Sequence, residues 1–374
     1  MIRGHGGNIH QLAREHGCRP EAIIDMSSNV NPLGPPPGLI DHLTDRLSTI
    51  TALPPVDAAG IVEAFSSRHG LDPARVIAGN GTTQLIYSIP TAFKTRRALI
   101  LGPTYADYAD ACAMHGVPYR YHLTTDANGF VPDLDALDRD LAGADTAFIC
   151  NPNNPTGTLI PGRELASFCR AHPEVRFVVD ESYLPFVADG EAESLMTQSP
   201  DNVSVLHSMS KIFRVPGLRI GFFIGSDGPA RAVRGYALPW SVNALAQEAV
   251  DYLMTAPVTD PFIRDSRAFL SAQREALTAA LTAIPGIRPF PGRTSFILAR
   301  LDGKINGPGL CQALGRERIL IRCCENFVGL SDRYVRFSLK TEDVNRTLIE
   351  SIRRHLAPSP PAERANVADN PESA

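Results

Sequence analysis

From about residue 75 to residue 243, short aliphatic or β-branched runs alternate with segments of helical period, and this alternation constrains the fold more than any other feature. It predicts strands over 75–78, 98–101, 146–150, 176–179, 204–206 and 219–224. Helices are predicted between them over 83–93, 106–115, 163–171 and 230–236. A chain that repeats strand then helix builds a mainly parallel sheet with helices on its faces, so the fold class is α/β. Beyond Trp240-Ser241-Val242-Asn243 the pattern changes. A long helical region to about 283 leads into strands over 295–301, 319–322 and 334–339 and a last helix over 343–355, which describes a smaller α+β domain. The expected division is an N-terminal arm (1–40), a large domain (41–243), a small domain (244–356) and a disordered tail (357–374), the tail because it carries little apolar residue. No internal repeat is visible.

Composition narrows the function classes. With 374 residues the chain is long enough for about two or three domains, and 44% hydrophobic with 20% charged residues is the balance of an ordinary globular enzyme. A net charge of −4 argues against nucleic acid or an anionic membrane as the main partner, so an anion site has to be local. The start lacks the apolar run of a signal peptide and no stretch approaches the roughly 18 apolar residues of a membrane helix, which points to the cytoplasm. The seven cysteines form no C-x-x-C pair, so neither a disulfide framework nor a metal site is expected.

Five segments carry chemistry. In His207-Ser208-Met209-Ser210-Lys211, followed by Pro216-Gly217-Leu218-Arg219-Ile220-Gly221, a lysine follows a strand and two hydroxyls, with an arginine eight residues on. Such a lysine can form a Schiff base while Ser208, Ser210 and Arg219 hold a phosphate. Asp180 and Tyr183 end the strand of Val179-Asp180-Glu181-Ser182-Tyr183, where α/β sheets display ligands. Asp180 is either a carboxylate for a ring nitrogen or a helix N-cap. The turn Asn151-Pro152-Asn153-Asn154-Pro155-Thr156-Gly157 aims an amide, that of Asn154, inward. Gly79-Asn80-Gly81-Thr82-Thr83-Gln84 joins a strand to a helix and offers N–H groups and the hydroxyls of Thr82 and Thr83 to a phosphate. Tyr105 and Tyr108 stand at helical spacing; either is core, or one of them, Tyr108 by preference, stacks on a flat ring.

Taken together, over residues 1 to 356, these segments resemble the pyridoxal-phosphate-dependent aminotransferases of fold type I, class I/II. The resemblance implies pyridoxal 5′-phosphate as cofactor, Lys211 as the lysine that joins it, Asp180 on the pyridine nitrogen, and Tyr183 and Asn154 at its phenolic oxygen. Gly81, Thr82, Thr83, Ser208, Ser210 and Arg219 correspond to the phosphate holders. Within that group, His5-Gly6-Gly7-Asn8, Asp25-Met26-Ser27-Ser28-Asn29-Val30-Asn31-Pro32-Leu33-Gly34, Ile319-Leu320-Ile321-Arg322-Cys323-Cys324 and Tyr334-Val335-Arg336-Phe337-Ser338 are similar to the threonine-phosphate decarboxylases of cobalamin biosynthesis. This implies that His5, Gly6, Asn8, Asn29 and Asn154 line the substrate site, with Arg336 on the substrate carboxylate and Arg322 on its phosphate. It also implies a homodimer. One departure stands out: relatives carry a Tyr-Pro-Asp-Pro-like stretch where this chain has Ala52-Leu53-Pro54-Pro55-Val56-Asp57, and Leu53 cannot donate a hydrogen bond. The implied reaction is decarboxylation of L-threonine O-3-phosphate to 1-amino-2-propanol O-phosphate, with O-phosphoserine as a second substrate. The alternatives are an aminotransferase of the histidinol-phosphate type, which shares the cofactor residues, and a non-catalytic protein of this fold, which the intact Lys211, Asp180 and Arg219 argue against.

Overall fold

The computed structural model describes residues 8–198 and 200–356. His5, Gly6 and the segment 357–374 lie outside the described residues. In chain order the strands are β1 (Ile24–Asp25), β2 (Val76–Asn80), β3 (Ala98–Gly102), β4 (Tyr119–Leu123), β5 (Thr146–Cys150), β6 (Arg176–Asp180), β7 (Val203–Ser208), β8 (Ile220–Ile224), β9 (Ile287–Pro289), β10 (Phe296–Leu301), β11 (Ile319–Leu320), β12 (Arg322–Cys323) and β13 (Tyr334–Ser338). The large sheet runs β2-β8-β7-β6-β5-β3-β4. All its neighbours pair in parallel except β8, which is antiparallel to both β2 and β7.

That single reversal positions the site. The carboxyl ends of β2, β3, β5, β6 and β7 meet along one edge, and the amino end of the reversed β8 joins them there. Gly81 after β2, Tyr105 after β3, Asn154 after β5, Asp180 ending β6, Lys211 after β7 and Arg219 before β8 therefore converge, as ligand-binding residues do in open α/β sheets. Strands β3, β5, β7 and β8 are buried throughout, which explains why they lack the apolar–charged alternation of a half-exposed strand.

A second sheet, β12-β13-β10-β9, is antiparallel and packs with the long helix Thr259–Thr282. The N-terminal arm is tied to both halves. Its β1 pairs with β11, and the Asn31 amide N–H donates to the Lys211 carbonyl at 3.0 Å. Asn31 Nδ2 donates to the Ile212 carbonyl at 2.9 Å and to Ser266 Oγ at 2.7 Å, so the arm is fastened to the loop that carries the lysine.

Several features depart from the pattern reading, among them the short strands β1 and β9, which it did not contain. The edge strand β4 was not expected, because its residues are mostly exposed and mix Tyr, Arg and His without alternation. The run 319–322 is not one strand, since Ile321 separates β11, paired with the arm, from β12, paired with β13. The helical region after 243 is two helices, Ala244–Thr255 and Thr259–Thr282, interrupted at Pro257.

Candidate active site

Two adjoining cavities, of ≈ 150 and ≈ 420 Å³, open at the convergent edge and share Tyr105, Asn154, Tyr183 and Lys211. Gly81, Thr82, Thr83, Tyr108, Asp180, Ser208, Ser210 and Arg219 line the smaller one. Asn29, Arg322 and Arg336 line the larger, with Ile9, His10, Asp25, Ser27 and Ser28. Of the expected site residues within the described part, only Asn8 lines neither. It caps the short helix Ile9–Glu15, its Oδ1 accepting from Gln11 N–H at 3.2 Å, and is exposed. Nothing in the glycine-rich start distinguished a cap from a ligand.

Burial and neighbouring groups set the protonation of three side chains in the smaller cavity. Burial, with the cations of Arg219 and Arg336, lowers the Lys211 pKa from 10.5 to about 8, against the pull of Asp180. Asp180 is 5% exposed, so burial raises its pKa, while the donors Ser182 and Tyr108 oppose the rise. Ser182 N–H donates to its Oδ1 at 2.9 Å and the Tyr108 hydroxyl to its Oδ2 at 2.8 Å. Burial pushes the Tyr183 phenol up to about 12, Arg336 opposing, and Asn29 Nδ2 donates to its oxygen at 3.4 Å.

Around Gly81 and Arg219 the chain packs too closely to admit further side-chain atoms. Gly81 has φ +72, and a Cβ there would meet Arg219 Nη2 at 2.6 Å; a Cβ on Gly221 would meet the Thr82 nitrogen at 2.7 Å. Arg219 itself holds a left-handed φ of 56, a strained conformation for a non-glycine residue and one that recurs at binding sites. The helix Gly81–Ala92 begins here, and the free N–H groups of a helix start favour an anion. A cationic fork, hydroxyls and helix-start amides at one end, a carboxylate at the other and a neutralisable lysine between them fit pyridoxal phosphate.

The aromatic wall differs from the reading above. Tyr108 reaches the cavity, but its ring is 1% exposed and stacked on Phe148, with centroids 5.5 Å apart and planes at 17°. Its hydroxyl is committed to Asp180, so of the two tyrosines it is Tyr105 that faces both cavities. The spacing admitted both tyrosines, and only the depth of each relative to β5 distinguishes them.

The larger cavity is cationic. Arg322 and Arg336 are direct partners across the β12–β13 ladder, so their side chains share a face. Arg336 is 5% exposed, donating to Asn154 Oδ1 and, at 2.8 Å, to the Ser27 carbonyl, while its Nε has no hydrogen-bond partner. Burial lowers its pKa, and Arg322 adds to that. Arg322 donates to Asn326 Oδ1 at 2.7 Å and lies over the Phe327 ring at 5.1 Å. A guanidinium only donates, so the Asn154 oxygen has to face Arg336, leaving its Nδ2 to donate into the smaller cavity.

Ser338 and Lys340 were not singled out from the sequence, although the period of two starting at Arg336 marks them. Ser338 Oγ donates to Asn29 Oδ1 at 2.7 Å and Lys340 Nζ to the Ser28 carbonyl at 3.5 Å, so Arg336 and Ser338 of β13 and Lys340 just beyond it clamp the loop 27–29.

Comparison with known proteins agrees with this geometry. The family model "Aminotransferase class I and II" matches residues 21–352. The chain is 33% identical over 367 residues to the threonine-phosphate decarboxylase of Salmonella typhimurium, covering 96% of this chain and 98% of that protein. The structure of L-threonine-O-3-phosphate decarboxylase from Porphyromonas gingivalis superposes with a TM-score of 0.79 at 29% identity, covering 89% of this chain and 99% of that one. Histidinol-phosphate aminotransferase from Clostridium acetobutylicum superposes at 0.82 with 26% identity and the same coverage. The chain therefore belongs to the aminotransferase class I and II family, with its α/β fold of type I and pyridoxal 5′-phosphate as cofactor.

Proposed function

We propose that the protein decarboxylates L-threonine O-3-phosphate to 1-amino-2-propanol O-phosphate for assembly of the cobalamin nucleotide loop, with O-phosphoserine as a weaker second substrate. The observation that carries this reading is the pair Arg322–Arg336. Two guanidiniums directly opposite on adjacent strands repel one another, a cost that a ligand with two separate anionic groups removes. A phosphoamino acid carries a carboxylate and a phosphate. Histidinol phosphate has only the phosphate, so in the rival reaction Arg336 meets an anion only when the dicarboxylate co-substrate takes its turn in the site.

In this reading Gly81, Thr82, Thr83, Ser208, Ser210 and Arg219 hold the cofactor phosphate, Asp180 holds the proton on its ring nitrogen, and Asn154 Nδ2 with the Tyr183 hydroxyl holds its phenolic oxygen. When bound, pyridoxal phosphate supplies a ring that accepts the electrons left at the substrate Cα. Arg336 and Arg322 fix the substrate at both ends, and Arg336 with the Ser27 carbonyl and Asn154 orients the carboxylate. Lys211, its pKa near 8, is positioned to return a proton to Cα after carbon dioxide leaves. O-phosphoserine lacks one methyl, a difference that ordinarily gives about 1–3 kcal/mol of discrimination.

The protein is further read as a cytoplasmic homodimer, supported by the exposed apolar side chains Leu47, Ile50, Leu53, Leu238 and Trp240. Among the described residues no helix is long and apolar enough to cross a membrane. The second reading, an aminotransferase, rests on the similarity to histidinol-phosphate aminotransferases and shares every cofactor residue. The test is to supply PLP-loaded protein with L-threonine phosphate, O-phosphoserine, or histidinol phosphate plus 2-oxoglutarate, and to follow carbon dioxide and glutamate. Carbon dioxide without glutamate supports the decarboxylase; glutamate from histidinol phosphate without carbon dioxide overturns it.

A further inference from the structure

We infer that Tyr108 is a positioning residue that sets the basicity of Asp180, and through it where the proton lies when the ring nitrogen is bound; the inference rests on the cofactor assignment above. Cys150 and Asp180 are register partners at the ends of β5 and β6, and Tyr108, on the helix Asp107–Met114, lies against both strands. Its ring is immobilised by the Phe148 stack, which leaves the hydroxyl 2.8 Å from Asp180 Oδ2. Burial and the adjacent carboxylate raise the pKa of the phenol well above its ordinary value, so it stays protonated and acts as a donor. The other donor to this carboxylate, Ser182, belongs to the same turn as Asp180 and moves with it. Tyr108 comes from a different element and so fixes the carboxylate relative to the rest of the site.

A hydrogen bond donated to the ionised form of a carboxylate makes it a weaker base. With the phenol in place, the proton shared between Asp180 and a ring nitrogen stays on the ring, which keeps its positive charge and its pull on electrons. Without the phenol, Asp180 draws that proton toward itself and the ring becomes less electron-deficient. A less positive ring also holds the proton of its lysine linkage more tightly. The cofactor's visible absorbance band then titrates at higher pH.

The experiment uses the PLP-loaded full chain. Tyr108→Phe keeps the ring and its stack but deletes the hydroxyl. The titration midpoint of the visible band should move upward, and kcat/KM for L-threonine phosphate should fall about tenfold or more, the size expected for a hydrogen bond to a charged group. Phe148→Leu loosens the stack but keeps the phenol, and should lower Tm while moving the midpoint much less than Tyr108→Phe does; a purely structural role for Tyr108 predicts the same for both variants. Should Tyr108→Phe not fold, difluorotyrosine incorporated at position 108 is a stronger donor, and the midpoint should move downward. A wild-type protein that develops no visible band with PLP overturns the cofactor assignment and the inference with it. A normal wild-type band, with the midpoint unmoved in Tyr108→Phe or the difluorotyrosine protein, overturns the inference alone.

Discussion

Arg336→Lys separates the recognition of the substrate carboxylate from the mere presence of charge. The native guanidinium is 5% exposed, donates to Asn154 Oδ1 and the Ser27 carbonyl, and has its Nε unpartnered. A planar fork can keep those protein bonds and still present two parallel N–H groups to a carboxylate, which an ammonium cannot. Losing one charge-assisted hydrogen bond costs about 1.5–3 kcal/mol, or roughly a ten- to hundredfold loss of kcat/KM in carbon dioxide release from L-threonine phosphate. Removing the charge as well, in Arg336→Met, leaves the incoming carboxylate buried without a partner and should cost about 2–5 kcal/mol, which is on the order of thirtyfold to several thousandfold. PLP affinity should stay near wild type in the lysine variant, because the proposed assignment gives the cofactor phosphate to Arg219 of the smaller cavity, whereas Arg336 lines the larger. Wild-type kcat/KM in Arg336→Lys would refute the carboxylate role, and parallel losses of substrate turnover and PLP binding would show that Arg336 supports the cofactor instead.

Four further outcomes follow from the site and its surroundings. Gly81→Ala puts a Cβ at 2.6 Å from Arg219 Nη2 at a φ of +72, so PLP affinity measured by equilibrium dialysis should fall about tenfold or more, while Tm falls with the strain of an alanine at positive φ, worth about 1–2 kcal/mol. Because burial lowers the Lys211 pKa to about 8, the rate of PLP loading onto the apoprotein should rise as pH climbs through 8 and level off above it. The same depressed pKa means that the cost of holding a buried ammonium fades between pH 8 and the unfolded value near 10.5, so apoprotein stability gains there, and urea unfolding across that window checks the sign. Burial depresses the pKa of His69 to about 4 and of His207 to about 3, so their contribution is fully present above the unfolded value of about 6.5 and is lost as pH falls toward 4 and 3. His207→Gln should flatten that acid slope in urea midpoints taken between pH 7 and pH 4.

Much of the site was legible because the chemistry sits where the strand pattern ends. Lys211, Asp180, Asn154 and Gly81 each follow a buried hydrophobic run, and sheet geometry sends such positions to one edge. Arg219 was found by its distance from Lys211, but its place on that edge depends on β8 running antiparallel, which no local pattern encodes. Long-range pairing hid other features. The arm's β1 joins β11, which splits the run 319–322, and residue types near Ile321 do not announce the split. Tyr108 and Tyr105 look alike at helical spacing, and only packing against Phe148 assigns one to Asp180 and the other to the cavity wall. Asn8 shows the converse, a polar residue in a suggestive motif that the structure uses to cap a helix.

The most direct test of the central claim is to follow L-threonine phosphate labelled with carbon-13 at its carboxyl carbon by NMR, with PLP-loaded protein in deuterium oxide and no oxo-acid acceptor. The account predicts that the label leaves as carbon dioxide and bicarbonate, and that the amine product carries one deuterium on the carbon that bore the carboxylate. Label retained in an oxo acid, or exchange of the Cα proton without loss of the carboxyl carbon, would contradict it.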